Sequence, residues 1–158
     1  MRRGVVTTIA TVILALVPAI AAATAWSPLT YKFTVWQGGR TVNLCTQAGI
    51  IDVAKNQSEA HARLDAGSNP CGTSTAVPAG YLAVSVAGYR NGAYCGDSGN
   101  YYSNGAYADW WVTWQACTNP SGSQTFYTDA RGAIYNDGSG GGNVQYFWFH
   151  TISPSQNY

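Results

Sequence analysis

Asn100, Tyr101, Tyr102, Asn104, Tyr107 and Asp109 fall within ten residues of one another, and Trp111 follows two positions later. Aromatic rings stack on the apolar faces of sugars, while Asn and Asp side chains bind sugar hydroxyls. The mixture is therefore suited to glycan recognition, and a loop carried on a rigid scaffold is where binding residues usually sit. The plainer reading is that these tyrosines cover turns and pack sheet edges, since large aromatics dominate burial.

Acid–base chemistry has thinner support. His61 and His150 could pair with one of seven carboxylates, and Asp97, Asp109, Asp129 and Asp137 could supply the carboxylate pair of a glycosidase. None sits in a motif; neither Gly-x-Ser-x-Gly nor His-Glu-x-x-His occurs. Residues 97–100 (DSGN) and 137–143 (DGSGGGN) resemble calcium loops only loosely, because neither has the Asp-x-Asp-x-Asp-Gly spacing. No cysteine pair is spaced as Cys-x-x-Cys, so a zinc site is not expected. No catalytic residue, metal or cofactor is assigned.

These side chains need elements to position them. Residues 29–36 (LTYKFTVW) alternate as a strand with one wet face, residues 37–40 (QGGR) signal a hairpin, and 40–45 return as a strand. Ser58 could cap a short helix over 59–66, ended by Gly67, with His61 and Asp65 one turn apart. Residues 68–80 read as loop. Residues 81–89 (YLAVSVAGY) form the clearest strand, with Leu82, Val84 and Val86 on one face, followed by Asn91-Gly92, the strongest short hairpin signal. Tyr89-Arg-Asn-Gly-Ala-Tyr94 partly recurs as Tyr102-Ser-Asn-Gly-Ala-Tyr107, which suggests two tyrosine-flanked turns in successive hairpins.

Residues 107–117 (YADWWVTWQAC) read as a strand with Trp110, Val112 and Trp114 toward the core and Trp111, Thr113 and Gln115 on a polar side. Strands over 124–129 and 133–136 are joined through Ala130-Arg131-Gly132, and the glycine-rich loop 137–142 leads to a last strand over 143–151. This pattern predicts an all-β domain, a single mainly antiparallel β-sandwich or barrel with at most one short helix.

Arg2 and Arg3, an uncharged apolar run from Val5 to Ala22, and Ala23-Thr24-Ala25 before Trp26 have the three parts of a secretory signal peptide. Residues 1–25 are then the signal peptide and 26–158 a secreted domain. Its six basic and seven acidic groups form no Lys/Arg cluster, which argues against nucleic acid or an anionic membrane as partner. Cys45, Cys71, Cys95 and Cys117 read as two disulfides in an oxidising compartment. Pairing Cys45–Cys71 and Cys95–Cys117 closes two local loops, each contributing roughly 3 kcal/mol in the chain-entropy model. Asn56-Gln57-Ser58 fits a glycosylation sequon.

The resulting expectation is a secreted, non-catalytic binding protein that recognises extracellular or cell-wall glycans through Tyr101, Tyr102, Asn104, Tyr107, Asp109 and Trp111. The alternatives are a secreted protease inhibitor or antimicrobial effector, presenting the loop 68–77 to a secreted protein, and a small secreted hydrolase using His61 or His150. No motif singles out a family.

Overall fold

The computed structural model describes residues 24–37, 39–52, 57–65, 76–115, 117 and 124–157. Most of the expected signal peptide, Cys71, Asn56 and most of the loop 68–77 lie outside them.

All eleven described elements are strands: β1 (Ala25–Trp26), β2 (Thr30–Gln37), β3 (Arg40–Asp52), β4 (Gln57–Asp65), β5 (Leu82–Arg90), β6 (Ala93–Asp97), β7 (Tyr101–Tyr102), β8 (Asp109–Gln115), β9 (Thr125–Asn136), β10 (Gln145–Ile152) and β11 (Gln156–Asn157). Every pairing is antiparallel. In the five-stranded sheet β3 has β1 and β2 along one edge and β4 on the other, with β8 beyond β4. In the six-stranded sheet the order is β10-β9-β5-β6, with β11 also on β9 and β7 also on β5.

Both sheets feed one core. Val35, Val42, Leu44, Ala48 and Val112 from the five-stranded sheet join Leu82, Val84, Val86, Ala130 and Ile134 from the six-stranded one. Strand alternation explains the selection: the even positions of β3, β5 and β9 face inward. Phe33 on β2 lies 4.6 Å from Phe147 and 5.3 Å from Phe149, so β10 closes over β2 with aromatic contacts. Thr46 and Thr151, both buried, hydrogen-bond to each other between β3 and β10. A smaller cluster of Ile50, Phe126 and Cys117 packs with Cys95. The disulfide Cys95–Cys117 is formed, as expected from the loop argument.

The Asn91-Gly92 turn is as expected. Both residues have positive φ, 49° and 80°, and Arg90 pairs directly with Ala93. Asn91 also accepts a hydrogen bond from the Thr125 amide at 2.9 Å, anchoring the hairpin to β9.

Four expectations are corrected. Residues 59–65 are not helical but belong to β4, which is hydrogen-bonded to β3 on one side and β8 on the other. Two ladders of backbone bonds override the helix propensity of Glu, Ala, Arg and Leu. The strands expected over 124–129 and 133–136 are one twelve-residue strand, β9, with no turn at Ala130-Arg131-Gly132. Gly132 there sits between Val84 of β5 and Phe149 of β10. The second tyrosine repeat is not a hairpin. After β7, Ser103 is buried, its Oγ accepts the amides of Gly80 and Leu82, and Tyr107 bridges Val77 before the chain enters β8 of the other sheet. Finally, Trp114 is 37% exposed rather than core, because Val112 is the last buried residue of β8.

Candidate functional site

The face of the six-stranded sheet turned away from the core carries the odd-numbered residues of β5 and β9 and the even-numbered residues of β10. Cross-strand register sorts them into rows. One row runs Trp148, Ala133, Ala83, Tyr102; the next runs His150, Arg131, Ser85; the third runs Ile152, Asp129, Ala87, Asp97. The last is Tyr127, Tyr89, Tyr94. Aromatic rings thus occupy both ends of the face and charged side chains its middle.

At the first end the rings are coupled. Tyr146 reaches across β9 to donate its hydroxyl to the Gly80 carbonyl. Its ring meets those of Tyr102 at 5.2 Å, Tyr135 at 5.1 Å and Trp148 at 6.2 Å. Ala83 and Ala133 beneath are fully buried, and their small side chains leave room for the rings. Burial, then the neighbouring tyrosines, raises the Tyr146 pKa above its ordinary value, so the ring stays neutral. Tyr81 continues the group, edge-on to Tyr135 at 5.3 Å. At the second end Tyr89 stacks on Tyr127 at 4.6 Å with planes 5° apart, and Tyr94 approaches Tyr89 edge-on. Ala83 and Tyr89 are six residues apart on β5, so the two aromatic groups lie about 20 Å apart along the strand.

Between them, Asp97 accepts from the Tyr94 hydroxyl at 2.5 Å and from the Gly99 amide at 2.9 Å. These two bonds, with a smaller contribution from Arg131, lower the Asp97 pKa and hold it ionised. The same bond raises the Tyr94 pKa, because a carboxylate favours the protonated phenol. Asp129 and Asp97 flank Ala87, about 10 Å apart between Cα atoms. His150 Nδ1 lies 3.0 Å from Asp129 Oδ1, with the imidazole 56% exposed. Among the described residues no group of three His, Cys, Asp or Glu could hold a metal ion.

The residues singled out from sequence are distributed over three places. Tyr102, 48% exposed, belongs to the first aromatic group. Tyr101, Asn104, Tyr107 and Asp109 line the connection from β7 into β8; the Tyr101 carbonyl accepts the Trp110 indole at 3.1 Å, and the Tyr107 ring packs on Trp110 at 4.9 Å. Trp111 is on the other sheet, 54% exposed with Thr113 and Gln115 on the same side of β8. Tyr146, Trp148, Tyr135, Tyr89, Tyr127 and Arg131 were missed. A usable signal was present in β10, where Tyr146, Trp148 and His150 alternate with Phe147, Phe149 and Thr151.

A cleft of about 690 Å³ opens at the first end of this face, between the β2–β3 hairpin (Gln37, Arg40), the segment from Ala76 to Ala79, and Tyr81 and Asp137. Tyr81 belongs to both features: its ring joins the aromatic group, and its hydroxyl donates to Asp137 Oδ2 at 3.3 Å. No family model, curated protein or solved structure matches the chain.

Proposed function

We propose that this is a secreted, non-catalytic binding protein that recognises extracellular or cell-wall glycans on the aromatic face of its six-stranded sheet. The observation that carries the reading is the arrangement of that face: rings at both ends, with ionised and hydrogen-bonding side chains between them. Sugar rings offer apolar C–H faces and equatorial hydroxyls, and the two kinds of group meet those two demands. A separation of about 20 Å between the ring groups suits an oligosaccharide rather than one sugar. Tyr102 is the exposed anchor. Tyr101, Asn104, Tyr107 and Asp109, on the connection from β7 into β8, would add contacts beside that face, and Trp111 a second, independent platform.

The state of Asp97 and Asp137 favours binding over catalysis at those two carboxylates. A glycosidase needs an acid with a raised pKa, whereas Asp97 and Asp137 are both lowered, by bonds from Tyr94 and Ser139 respectively. One observation favours a second reading, a small hydrolase: the His150–Asp129 pair orients an imidazole as general-base enzymes do. Turnover of a bound oligosaccharide, abolished by His150→Ala, would select that reading.

Export rests on the N-terminal pattern and on the Cys95–Cys117 bond, which suits an oxidising compartment. The shared core favours packing of the two sheets as the layers of a sandwich. Pull-down of the purified protein on a panel of insoluble polysaccharides tests the function. Retention that falls on Tyr102→Ala supports it; no retention on any of them removes it.

A further inference from the structure

We infer that the glycan carries an isolated acidic sugar, whose carboxylate is seated on Arg40 in the cleft beside Tyr81. The inference rests on the glycan reading and names the ligand class for the same site. The cleft continues the aromatic face, because Tyr81 lines one and packs into the other. A chain lying over Tyr102 and Tyr146 therefore runs into it.

Inside the cleft most polar groups are already committed. Gln37, almost fully buried, donates to the Tyr135 carbonyl. Asp137 accepts from Ser139 on Oδ1 and from Tyr81 on Oδ2. Arg40 is different. One guanidinium N–H donates to the Ala76 carbonyl at 2.7 Å, which holds the group in place. A guanidinium has five N–H donors in a planar fork, and among the described residues Arg40 faces no carboxylate partner. A held fork that no carboxylate occupies among the described residues, lining a cleft, matches a planar carboxylate. Val77, Pro78 and Ala79 supply the apolar wall against which the C–H face of a pyranose can pack.

The charge balance limits how many acidic sugars there can be. The domain after residue 25 has six basic groups against seven acidic ones, and Asp137 stands in the same cleft. A densely charged polysaccharide would need several clustered cations that the domain lacks, whereas one carboxylate on an otherwise neutral chain needs only Arg40.

The test is an array of heavily sulfated chains and of neutral oligosaccharides, each neutral one printed beside the same chain ended by one uronic acid and beside the methyl ester of that acid. The full secreted domain should bind acidic members about tenfold better than their neutral and esterified counterparts, the scale of one charge-assisted pair. Arg40→Gln should remove that difference while leaving the neutral signal, and Tyr102→Ala should lower all three. Equal binding of acid and ester by the unmodified protein overturns the inference and leaves the glycan reading standing. Preference for heavily sulfated chains also overturns it. Binding to no member overturns both.

Discussion

The rings of Tyr102 and Tyr146 meet at 5.2 Å although they start from opposite edges of the six-stranded sheet. The contact roofs Ala83 and Ala133, and the Tyr146 hydroxyl ties the roof to Gly80. Tyr146→Phe keeps the ring and removes the bond, so it should cost about 1 kcal/mol in urea unfolding. Tyr102→Ala, at an exposed ring, should cost less in stability and about 1–2 kcal/mol in glycan affinity.

Gly49 is fixed by a neighbour. A Cβ built there would fall inside the Trp26 ring, which lies over the β3 backbone where Trp26 pairs with Gly49. Gly49→Ala should destabilise by about 1–3 kcal/mol, the usual cost of overpacking. Trp26→Ala in the same background should recover much of that loss, measured as a double-mutant cycle.

Much of the strand layout was legible because its signals are local. Asn91-Gly92 announces its own positive φ, and the Leu82, Val84, Val86 alternation needs no partner to be read. β4 was misread although Ser58, Ala60, Ala62 and Leu64 alternate with Gln57, Glu59, His61, Arg63 and Asp65 over its whole length. Residue types that favour helices masked a period of two, and only pairing with β3 and β8 decides the matter. Gly132 looked like a turn for the same reason: its strand neighbours, Val84 and Phe149, are distant in sequence. The aromatic face was legible at Tyr102 alone, because it is assembled from β7, β5, β9 and β10 by register that no local pattern encodes.

The Tyr94–Asp97 bond makes a pH prediction. Asp97 has a lowered folded pKa, so its contribution to stability is complete above the ordinary value of 3.8 and is lost as pH falls below it, through the folded value. Tyr94→Phe should move the Asp97 titration upward toward 3.8, read from the side-chain carboxyl resonance. An unchanged titration would mean that the Gly99 amide and Arg131 hold the carboxylate without the phenol.

Reducing Cys95–Cys117 should be costly. The bridge spans 22 residues and so contributes about 3 kcal/mol by loop closure. It also ties Cys95 of β6 to the small cluster of Ile50, Phe126 and Cys117. Non-reducing peptide mapping should recover this pair together with Cys45–Cys71, and the Cys95→Ser, Cys117→Ser double variant should unfold at lower urea concentration.

Nuclear magnetic resonance of the isotope-labelled domain, titrated with the strongest-binding oligosaccharide of the array, tests the central claim most directly. Shifts should appear on that face, at the Trp148 indole N–H, Tyr102, Tyr94 and the amides around Asp97, whether or not Trp111 on the other sheet also moves, with residues of the buried core unmoved. Shifts confined to Trp111 and its strand, or absent with every oligosaccharide tried, would contradict a glycan site on the face of the six-stranded sheet.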